Sequence, residues 1–254
     1  EVKLPPGVKM LGDISYVPNG DDAQKLDLYL PEKPADRPLP LIVHIHGGGW
    51  IGGSLDAFNE PCAALAHNTG ALVVSPEYRL APEHPFPTAI DDSWIGLCWA
   101  ATHSTQFAPA EVPLIVAGDS AGGNIATVMT RWARDRQGPR IDYQVLIYPV
   151  TDCDFDRASY VAPENQLMLS RDTMIWFWGH YLPDQDARTN PDASPLRAPS
   201  LAGLPPALVY VAEYDPLHDE GVAYATALAE AGVSVTLEEA AGQMHGYFQM
   251  ANIL

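Results

Sequence analysis

The sequence predicts an α/β fold with a mostly parallel central sheet, helices on both faces and a helical cap insertion. Short apolar runs, typical of strands that are buried on both faces, recur along the chain. Amphipathic helical segments separate these runs, and this alternation is the pattern of a parallel sheet. One segment, about residues 151–203, breaks the alternation with many Asp, Asn and Pro residues. We interpret it as an insertion over one face of the sheet.

Length and charge limit the function. The 254 residues can bury a sizeable core, and we expect a single domain over residues 1–254 that includes the insertion. The formal charge of -18 repels phosphate backbones and anionic membranes, so we expect a small-molecule substrate and no nucleic acid partner. No stretch approaches the ~18 apolar residues of a membrane span, and the first seven residues lack the apolar core of a secretory signal. We therefore expect no membrane span and a cytoplasmic location; a homodimer is compatible with the sequence.

Eight segments have the character of strands. The first two alternate apolar and polar residues on either side of the turn residues 18–22, which predicts an antiparallel hairpin. The others are short apolar runs, some continuous, that suit strands of a parallel sheet. In chain order, the predicted strands are 8–17, 25–30, 39–45, 71–74, 113–117, 143–150, 207–212 and 234–237.

Five segments are predicted to be helices. Apolar residues at helical spacing identify them; in the first, Phe58, Cys62 and Leu65 share a face and Gly70 follows as a stop signal. In chain order, the predicted helices are 56–68, a helix that contains Trp94 and Leu97, a helix from 125 to about 136, 172–182 and 220–231. The fourth lies in the insertion and carries an aromatic stripe, which suits a cap that shields a site from water. An ordinary core helix explains that stripe equally well.

The segment 118–124, Gly-Asp-Ser-Ala-Gly-Gly-Asn, lies between a predicted strand and a predicted helix. Gly-x-Ser-x-Gly in this setting is the pattern of a nucleophile elbow, a turn too tight for large flanking side chains that holds the serine hydroxyl clear of the sheet. The same pattern arises by chance in about one chain of this size in ten, so the flanking elements carry the interpretation. Ser120 is the candidate nucleophile, and Asp119 is expected to brace the turn.

The segment 46–50, His-Gly-Gly-Gly-Trp, directly follows the predicted strand 39–45. Three successive glycines cost backbone entropy, which indicates a backbone that adopts positive φ or closely approaches another group. Backbone N–H groups that no side chain shields are what an oxyanion hole requires. A merely flexible loop is the alternative. His46 is expected to shape this loop, since no carboxylate follows it nearby.

Asp215 and His245 follow the predicted strands 207–212 and 234–237. Ligands of an open parallel sheet bind beyond the carboxyl ends of its strands, and the chain order Ser, Asp, His is that of α/β-hydrolases. A serine hydroxyl needs a base to take its proton, and an imidazole base needs a carboxylate to hold its tautomer. We predict that Ser120 is the nucleophile, His245 the base and Asp215 the orienting acid.

Two neighbouring residues are the alternatives for these roles. His218 rivals His245, but it lies only three residues after Asp215 and begins a helix. Asp219 rivals Asp215, and its place in a first helical turn has the simpler explanation that an anion is favourable at the positive end of the helix dipole.

Neither a metal nor an organic cofactor is predicted. The chain has no His-x-x-x-His or Cys-His spacing suited to zinc and no glycine loop that ends in Gly-Lys-Ser/Thr for a nucleotide phosphate. Cys62, Cys98 and Cys153 are far apart and odd in number, so we expect no disulfide framework.

Three motifs together resemble the hormone-sensitive-lipase family of α/β-hydrolases, also called bacterial family IV esterases. They are the segments 46–50 and 118–124 and the segment 215–221, Asp-Pro-Leu-His-Asp-Glu-Gly, and the likeness runs from about residue 39 to residue 248. The resemblance implies the α/β-hydrolase fold with a helical cap. It also implies that the protein is a serine carboxylesterase, which hydrolyses short-chain acyl esters through an acyl-enzyme intermediate.

The resemblance also implies roles for individual residues. The backbone amides of Gly48, Gly49 and Ala121 would form the oxyanion hole. The aromatic residues that could line a substrate pocket, or merely pack the core, include Trp50, Trp176 and Phe248.

Other functions remain open on the sequence alone. Some relatives of this fold are non-hydrolytic small-molecule receptors, but as the resemblance implies, those lack the catalytic histidine. The hairpin segment 24–29 is similar to a related group of esterases that includes feruloyl and acetyl-xylan types. An amide hydrolase would use the same three residues.

Overall fold

The computed structural model describes residues 4–32, 39–106 and 112–250. The predicted single domain, residues 1–254, therefore extends beyond the described ranges at both ends and at two internal segments.

An eight-stranded sheet lies at the centre of the described structure, with the strand order β1-β2-β4-β3-β5-β6-β7-β8. Strand β2 pairs antiparallel with β1 and with β4, and every other neighbouring pair is parallel. This confirms the predicted mostly parallel sheet and its N-terminal hairpin. The strands are β1 (Val8–Ser15), β2 (Lys25–Pro31), β3 (Leu41–Ile45), β4 (Leu72–Pro76), β5 (Leu114–Asp119), β6 (Tyr143–Ile147), β7 (Ala207–Tyr214) and β8 (Val235–Met244).

Helices cover both faces of the sheet because successive side chains of a strand point to opposite faces. Ile42 of β3 belongs to a buried cluster with Phe58 of the first helix, whereas its neighbour Val43 belongs to the main core with Leu97 and Ile125 of the second and third helices. The α-helices in the described ranges are α1 (Leu55–Thr69), α2 (Thr88–His103), α3 (Ala121–Asp135), α4 (Ala158–Val161), α5 (Arg171–Tyr181) and α6 (His218–Glu230).

Strand β8 is longer than the sequence predicts. The predicted strand 234–237 continues to Met244, through residues that are mostly exposed and lack the apolar pattern of a buried strand. Strand β8 is the edge of the sheet, and its parallel pairing with β7 imposes the extended conformation there. As a result β8 ends at the residue directly before His245.

The insertion consists mainly of α4, α5 and short 3₁₀ turns. Helix α5 is capped by Ser170, whose side chain accepts a hydrogen bond from the N–H of Thr173. The aromatic stripe of α5 packs onto the glycine loop after β3, because the Tyr181 ring stacks on Trp50 at a centroid distance of 4.2 Å and Trp178 meets Trp50 edge-on at 5.3 Å. Trp178 and Tyr181 are fully buried, so this part of the stripe belongs to the core and holds the insertion against the glycine loop.

A close backbone contact fixes α3 against β3. A Cβ atom added to Gly122, in the first turn of α3, would lie 2.0 Å from the carbonyl oxygen of Ile45 and 2.6 Å from that of His46. Real Cβ contacts are never this short, and backbone atoms cannot rotate away as a side chain can.

The substitution Gly122→Ala is therefore expected to destabilise the fold by several kcal/mol or to prevent folding, since overpacking against backbone has no cheap relaxation (about 3 kcal/mol or more). The matched control is Gly179→Ala in α5, where an added Cβ meets no atom within 4 Å; it should raise stability by up to about 1 kcal/mol through helix propensity. Urea denaturation followed by circular dichroism measures both. A wild-type midpoint for Gly122→Ala would contradict the contact.

Candidate active site

Three predicted site residues each stand directly after a strand. Ser120 follows β5, Asp215 follows β7 and His245 follows β8. Since these strands are parallel, their carboxyl ends lie at one edge of the sheet. The structure thereby brings together residues that are 125 and 30 positions apart in the chain.

His245 contacts both of the other residues. Its Nε2 lies 3.0 Å from Ser120 Oγ, and its Nδ1 lies 2.7 Å from Asp215 Oδ2. Because an ionised carboxylate only accepts hydrogen bonds, Asp215 favours the tautomer with its proton on Nδ1, which leaves Nε2 free to accept the Ser120 hydroxyl proton. Asp215 is fully buried and Ser120 is 8% exposed. This arrangement can turn a serine hydroxyl into a nucleophile.

The turn around Ser120 is strained. Its φ of 56° and ψ of −118° are values that residues with a side chain rarely adopt. The Ser120 N–H donates to the carbonyl of Ile147 at 2.9 Å, and its carbonyl accepts from the N–H of Asn124 at 3.0 Å. A Cβ atom on Gly118 would lie 2.3 Å from the carbonyl oxygen of Gly122. The small flanking residues are thus required for the turn.

Asp215 is fixed by contacts besides the one to His245. Its Oδ1 accepts the N–H of Leu217 at 2.9 Å, and its carbonyl accepts the side-chain amide of Asn165 at 3.3 Å. Asn165 lies in the insertion, so the insertion supports the turn that carries Asp215.

The two alternative residues lie elsewhere. His218 Nε2 lies 3.0 Å from a carboxylate oxygen of Glu239 on β8, and Asp219 Oδ2 accepts the N–H of Ser159 in the insertion at 2.9 Å. Nearby carboxylates Glu239 and Asp219 outweigh burial and raise the pKa of His218 above its usual value. Neither residue contacts Ser120 within the described ranges.

The glycine loop after β3 presents bare backbone. Gly48 and Gly49 have φ values of 110° and 64°, and a Cβ atom on Gly48 would lie 2.2 Å from the carbonyl oxygen of Gly52. In the described part of the chain, the N–H groups of Gly48, Gly49 and Ala121 donate no hydrogen bond. Such free donors, beside the cavity that also contains Ser120, suit the binding of a developing oxyanion.

His46 shapes this loop as expected, but with a partner that the sequence did not reveal. Its Nε2 lies 2.8 Å from Glu77 Oε1, its Nδ1 lies 2.8 Å from the carbonyl oxygen of Gly47, and its ring stacks on Tyr78 at 4.3 Å. A carboxylate is therefore present, although none follows His46 nearby in the chain. Glu77 comes directly after β4, so the position of residues after strand ends was the signal that could have found it.

A cavity of about 180 Å³ opens beside Ser120 and His245. The structure revises the predicted substrate-lining residues. Trp50 contributes to the wall, but Trp176 is 54% exposed on the outside of α5 and Phe248 packs 5.5 Å from the His44 ring; neither lines the cavity. The apolar wall is instead formed by Trp50, Val150, Met168, Leu169, Met174 and Phe177.

Tyr148 is a site residue that sequence reasoning missed. It directly follows β6, has a φ of 34°, and its ring lies 4.5 Å from that of His245 and 5.4 Å from that of Tyr247. Burial raises its pKa well above the usual value, so the phenol stays neutral and supports the imidazole by packing. Its place after a strand end was again the available signal.

Glu220 connects the insertion to the turn that carries Asp215, which we call the acid turn. It is fully buried; its Oε1 accepts the N–H of Thr151 at 2.7 Å, and its carbonyl accepts the Thr151 hydroxyl at 2.8 Å. Burial raises the pKa of Glu220 to about 8, against the opposing effect of the hydrogen bond from the Thr151 N–H to the carboxylate. Near neutral pH the folded protein therefore keeps a proton that the unfolded chain releases.

No helix in the described ranges is both long and apolar enough to cross a membrane. Residues 4–32, 39–106 and 112–250 also bring no three His, Cys, Asp or Glu side chains into a group that could hold a metal ion. The three cysteines are free thiols, and Cys62 is buried.

Comparison with known proteins covers this whole site. Residues 42–249 match a family described by the alpha/beta hydrolase fold. Carboxylesterase NlhH of Mycobacterium tuberculosis is 41% identical over 230 residues, which are 89% of this chain and 72% of the relative. Ethyl acetate hydrolase of Pseudomonas putida is 36% identical over 250 residues, which are 96% of this chain and 77% of the relative.

Solved structures agree with the sequence relatives. EstE1, a thermophilic and thermostable carboxylesterase cloned from a metagenomic library, superimposes with a TM-score of 0.86 at 35% identity and covers 100% of this chain and 85% of its own. The likeness thus includes every strand end that carries a candidate residue.

Glu220 makes the free energy of unfolding depend on pH. Its folded pKa is raised, so between the usual value of 4.5 and about 8 the native state holds more protons than the unfolded state and stability falls as pH rises, by up to about 1.4 kcal/mol per pH unit. The variant Glu220→Gln keeps the shape and loses this titration. Urea denaturation at pH 5.5, 6.5 and 7.5 should show a steeper decline for wild type than for the variant; parallel curves would contradict the assignment.

Proposed function

This chain belongs to the hormone-sensitive-lipase family of α/β-hydrolases and is a carboxylic ester hydrolase, and we propose that it is a serine esterase for short-chain acyl esters. The observation that carries the proposal is the line of contacts from Ser120 through His245 to Asp215, at 3.0 and 2.7 Å. Nucleophile, base and orienting acid of ester hydrolysis need this order of contacts.

Acylation begins with attack of Ser120 Oγ on the ester carbonyl carbon while His245 Nε2 takes the hydroxyl proton. Asp215 accepts the Nδ1–H of the resulting imidazolium and stabilises its charge. The negative charge moves to the former carbonyl oxygen, where the N–H groups of Gly48, Gly49 and Ala121 receive it. Each such donor contributes about 10²-fold to the rate.

The same imidazole completes acylation and then carries out deacylation. Acylation ends when the imidazolium of His245 donates its Nε2 proton to the departing alcohol, which breaks the ester bond and leaves the acyl group on Ser120. His245 then takes a proton from water, the hydroxide equivalent attacks the acyl carbonyl, and the proton returns to Ser120 as the acid leaves.

Short acyl groups fit the cavity best. Its volume of about 180 Å³ is below the ~300–1,000 Å³ that is typical of drug-sized ligands, and its wall is largely apolar. The chain's charge of -18 disfavours anionic substrates. The printed name of the Pseudomonas putida relative, ethyl acetate hydrolase, supports a small ester as substrate. A receptor without turnover is disfavoured by the esterase relatives and by the complete set of contacts around His245.

Replacement of the nucleophile tests the mechanism. Ser120→Ala should lower kcat for p-nitrophenyl butyrate by ~10³-fold or more, because no covalent intermediate can form. Ser200→Ala, at an exposed serine, is the matched control and should retain wild-type kcat. Full esterase activity in purified Ser120→Ala protein would disprove the proposed nucleophile.

Substrate range tests the second part of the proposal. We expect kcat/KM of the wild-type protein to be greatest for p-nitrophenyl acetate to hexanoate and to fall steeply toward palmitate, since long chains exceed the cavity. A matched butyryl anilide should react far more slowly than the butyryl ester if the chain is an esterase. A maximum at palmitate, or equal rates for anilide and ester, would overturn the proposed substrate class.

A further inference from the structure

Of the two buried histidines in the described ranges, His46 shapes the glycine loop and His44 has no role so far. His44 lies within β3 and is 1% exposed. Its Nε2 lies 3.4 Å from Asp119 Oδ1, at ion-pair distance although not in the direction of a linear hydrogen bond. Its Nδ1 lies 3.6 Å from Cys62 Sγ. Asp119 is fully buried and directly precedes Ser120.

The carboxylate of Asp119 joins three parts of the site. Its Oδ1 accepts the N–H of Gly47 at 3.2 Å, and its Oδ2 accepts the side-chain amide of Gln249 at 3.4 Å. A Cβ atom on Gly47 would lie 2.5 Å from Asp119 Oδ2, so this contact leaves no room for a side chain. The Asp119 carboxylate therefore connects the turn that carries Ser120 with the start of the glycine loop and with the segment after His245.

A buried carboxylate needs a positive partner, and none of these hydrogen bonds supplies a full charge. Within the described ranges, His44 is the one cationic or titratable basic group at ion-pair distance from Asp119. Burial opposes the charging of His44, but Cys62 and Asp119 outweigh it and raise the pKa of His44 to about 10. The rings of Phe58 and Phe248, at 5.8 and 5.5 Å, enclose the imidazole in an apolar shell.

Asp119 needs its positive partner most during the reaction. Attack by Ser120, the residue directly after Asp119, places a negative charge on the substrate oxygen, and charges interact strongly in a water-poor site. An unpaired Asp119 would repel that oxyanion and would hold Gly47 less firmly.

We infer that His44 is a positioning residue for ester hydrolysis, whose imidazolium pairs with Asp119 and keeps this carboxylate on Gly47, so that the glycine loop stays aligned with Ser120. The inference rests on the proposed function above. His44 touches neither the substrate nor the reacting atoms and acts through Asp119.

Four variants test the inference: His44→Gln, Asp119→Asn, the double variant and Cys98→Ala. His44→Gln removes the charge with little change in volume. Cys98→Ala, which removes a partly buried thiol on α2 that forms no hydrogen bond to His44 or Asp119 in the described structure, serves as the matched control. The measured quantities are kcat and KM for p-nitrophenyl butyrate and the inhibition constant of a butyl trifluoromethyl ketone, which mimics the tetrahedral oxyanion.

His44→Gln should lower kcat about tenfold with KM within about twofold of wild type, and should weaken the ketone by the same factor, because only the charged state is affected. Cys98→Ala should leave kcat within about twofold of wild type. The double variant should have the same kcat as Asp119→Asn, since the charge on His44 acts only through the Asp119 carboxylate. Independent, multiplicative losses, or an unchanged kcat in folded His44→Gln, would overturn the inference.

Nitrogen-15 NMR of the wild-type histidine rings gives a test that does not depend on the folding of a variant. The His44 ring, assigned through its proximity to Phe58 and Phe248, should carry protons on both nitrogens from pH 6 to pH 9. A neutral ring in this range would overturn the inference. Absence of esterase activity in the wild-type protein would instead refute the proposed function, and the NMR result would still report on the ion pair.

Discussion

The site depends on the backbone contact between the first turn of α3 and the end of β3. With no Cβ on Gly122, the helix lies directly against the carbonyls of Ile45 and His46. This contact sets the distance between Ser120, at the start of α3, and the glycine loop, which continues from His46. Ser120 and the free N–H groups of Gly48 and Gly49, which follow different strands, thus acquire a fixed separation from the main chain alone, before any side chain contributes.

The remaining contacts hold this arrangement from three sides. Glu77 and Tyr78 fix His46 beneath the glycine loop, and the aromatic stripe of α5 closes the loop from above through Trp50. On the third side, Asn165 and Glu220 connect the insertion with the acid turn. The insertion is therefore a structural support of the turn that carries Asp215 as well as a wall of the cavity.

The sequence predicted the features whose causes are local. Ser120 and the glycine loop have short patterns with a steric explanation, and Asp215 follows an apolar run whose end could be located to within a few residues. The full extent of β8 could not be predicted, because its second half becomes a strand only through pairing with β7. Glu77 and Tyr148 act through tertiary contacts, although both follow strand ends.

Aromatic residues were the least predictable part of the site. Trp50, Trp176 and Phe248 are all large aromatic residues, yet their surroundings differ. Trp50 is buried in the cavity wall, Trp176 is mostly exposed and Phe248 packs against His44 of β3. The direction of a side chain on a helix or after a strand depends on how elements are rotated against one another. Single-sequence patterns do not contain that rotation.

Because His245 follows an edge strand, the core can stay folded while the candidate site is disrupted. The pairing of β1 to β7 already assembles the main core, the glycine loop and the Ser120 turn, whereas the imidazole is held by the last and most exposed strand. Edge strands open locally at a lower free energy than central ones. Under the proposed mechanism, fraying of β8 would therefore abolish turnover while leaving the rest of the fold intact, so that loss of activity would report local opening of this edge strand.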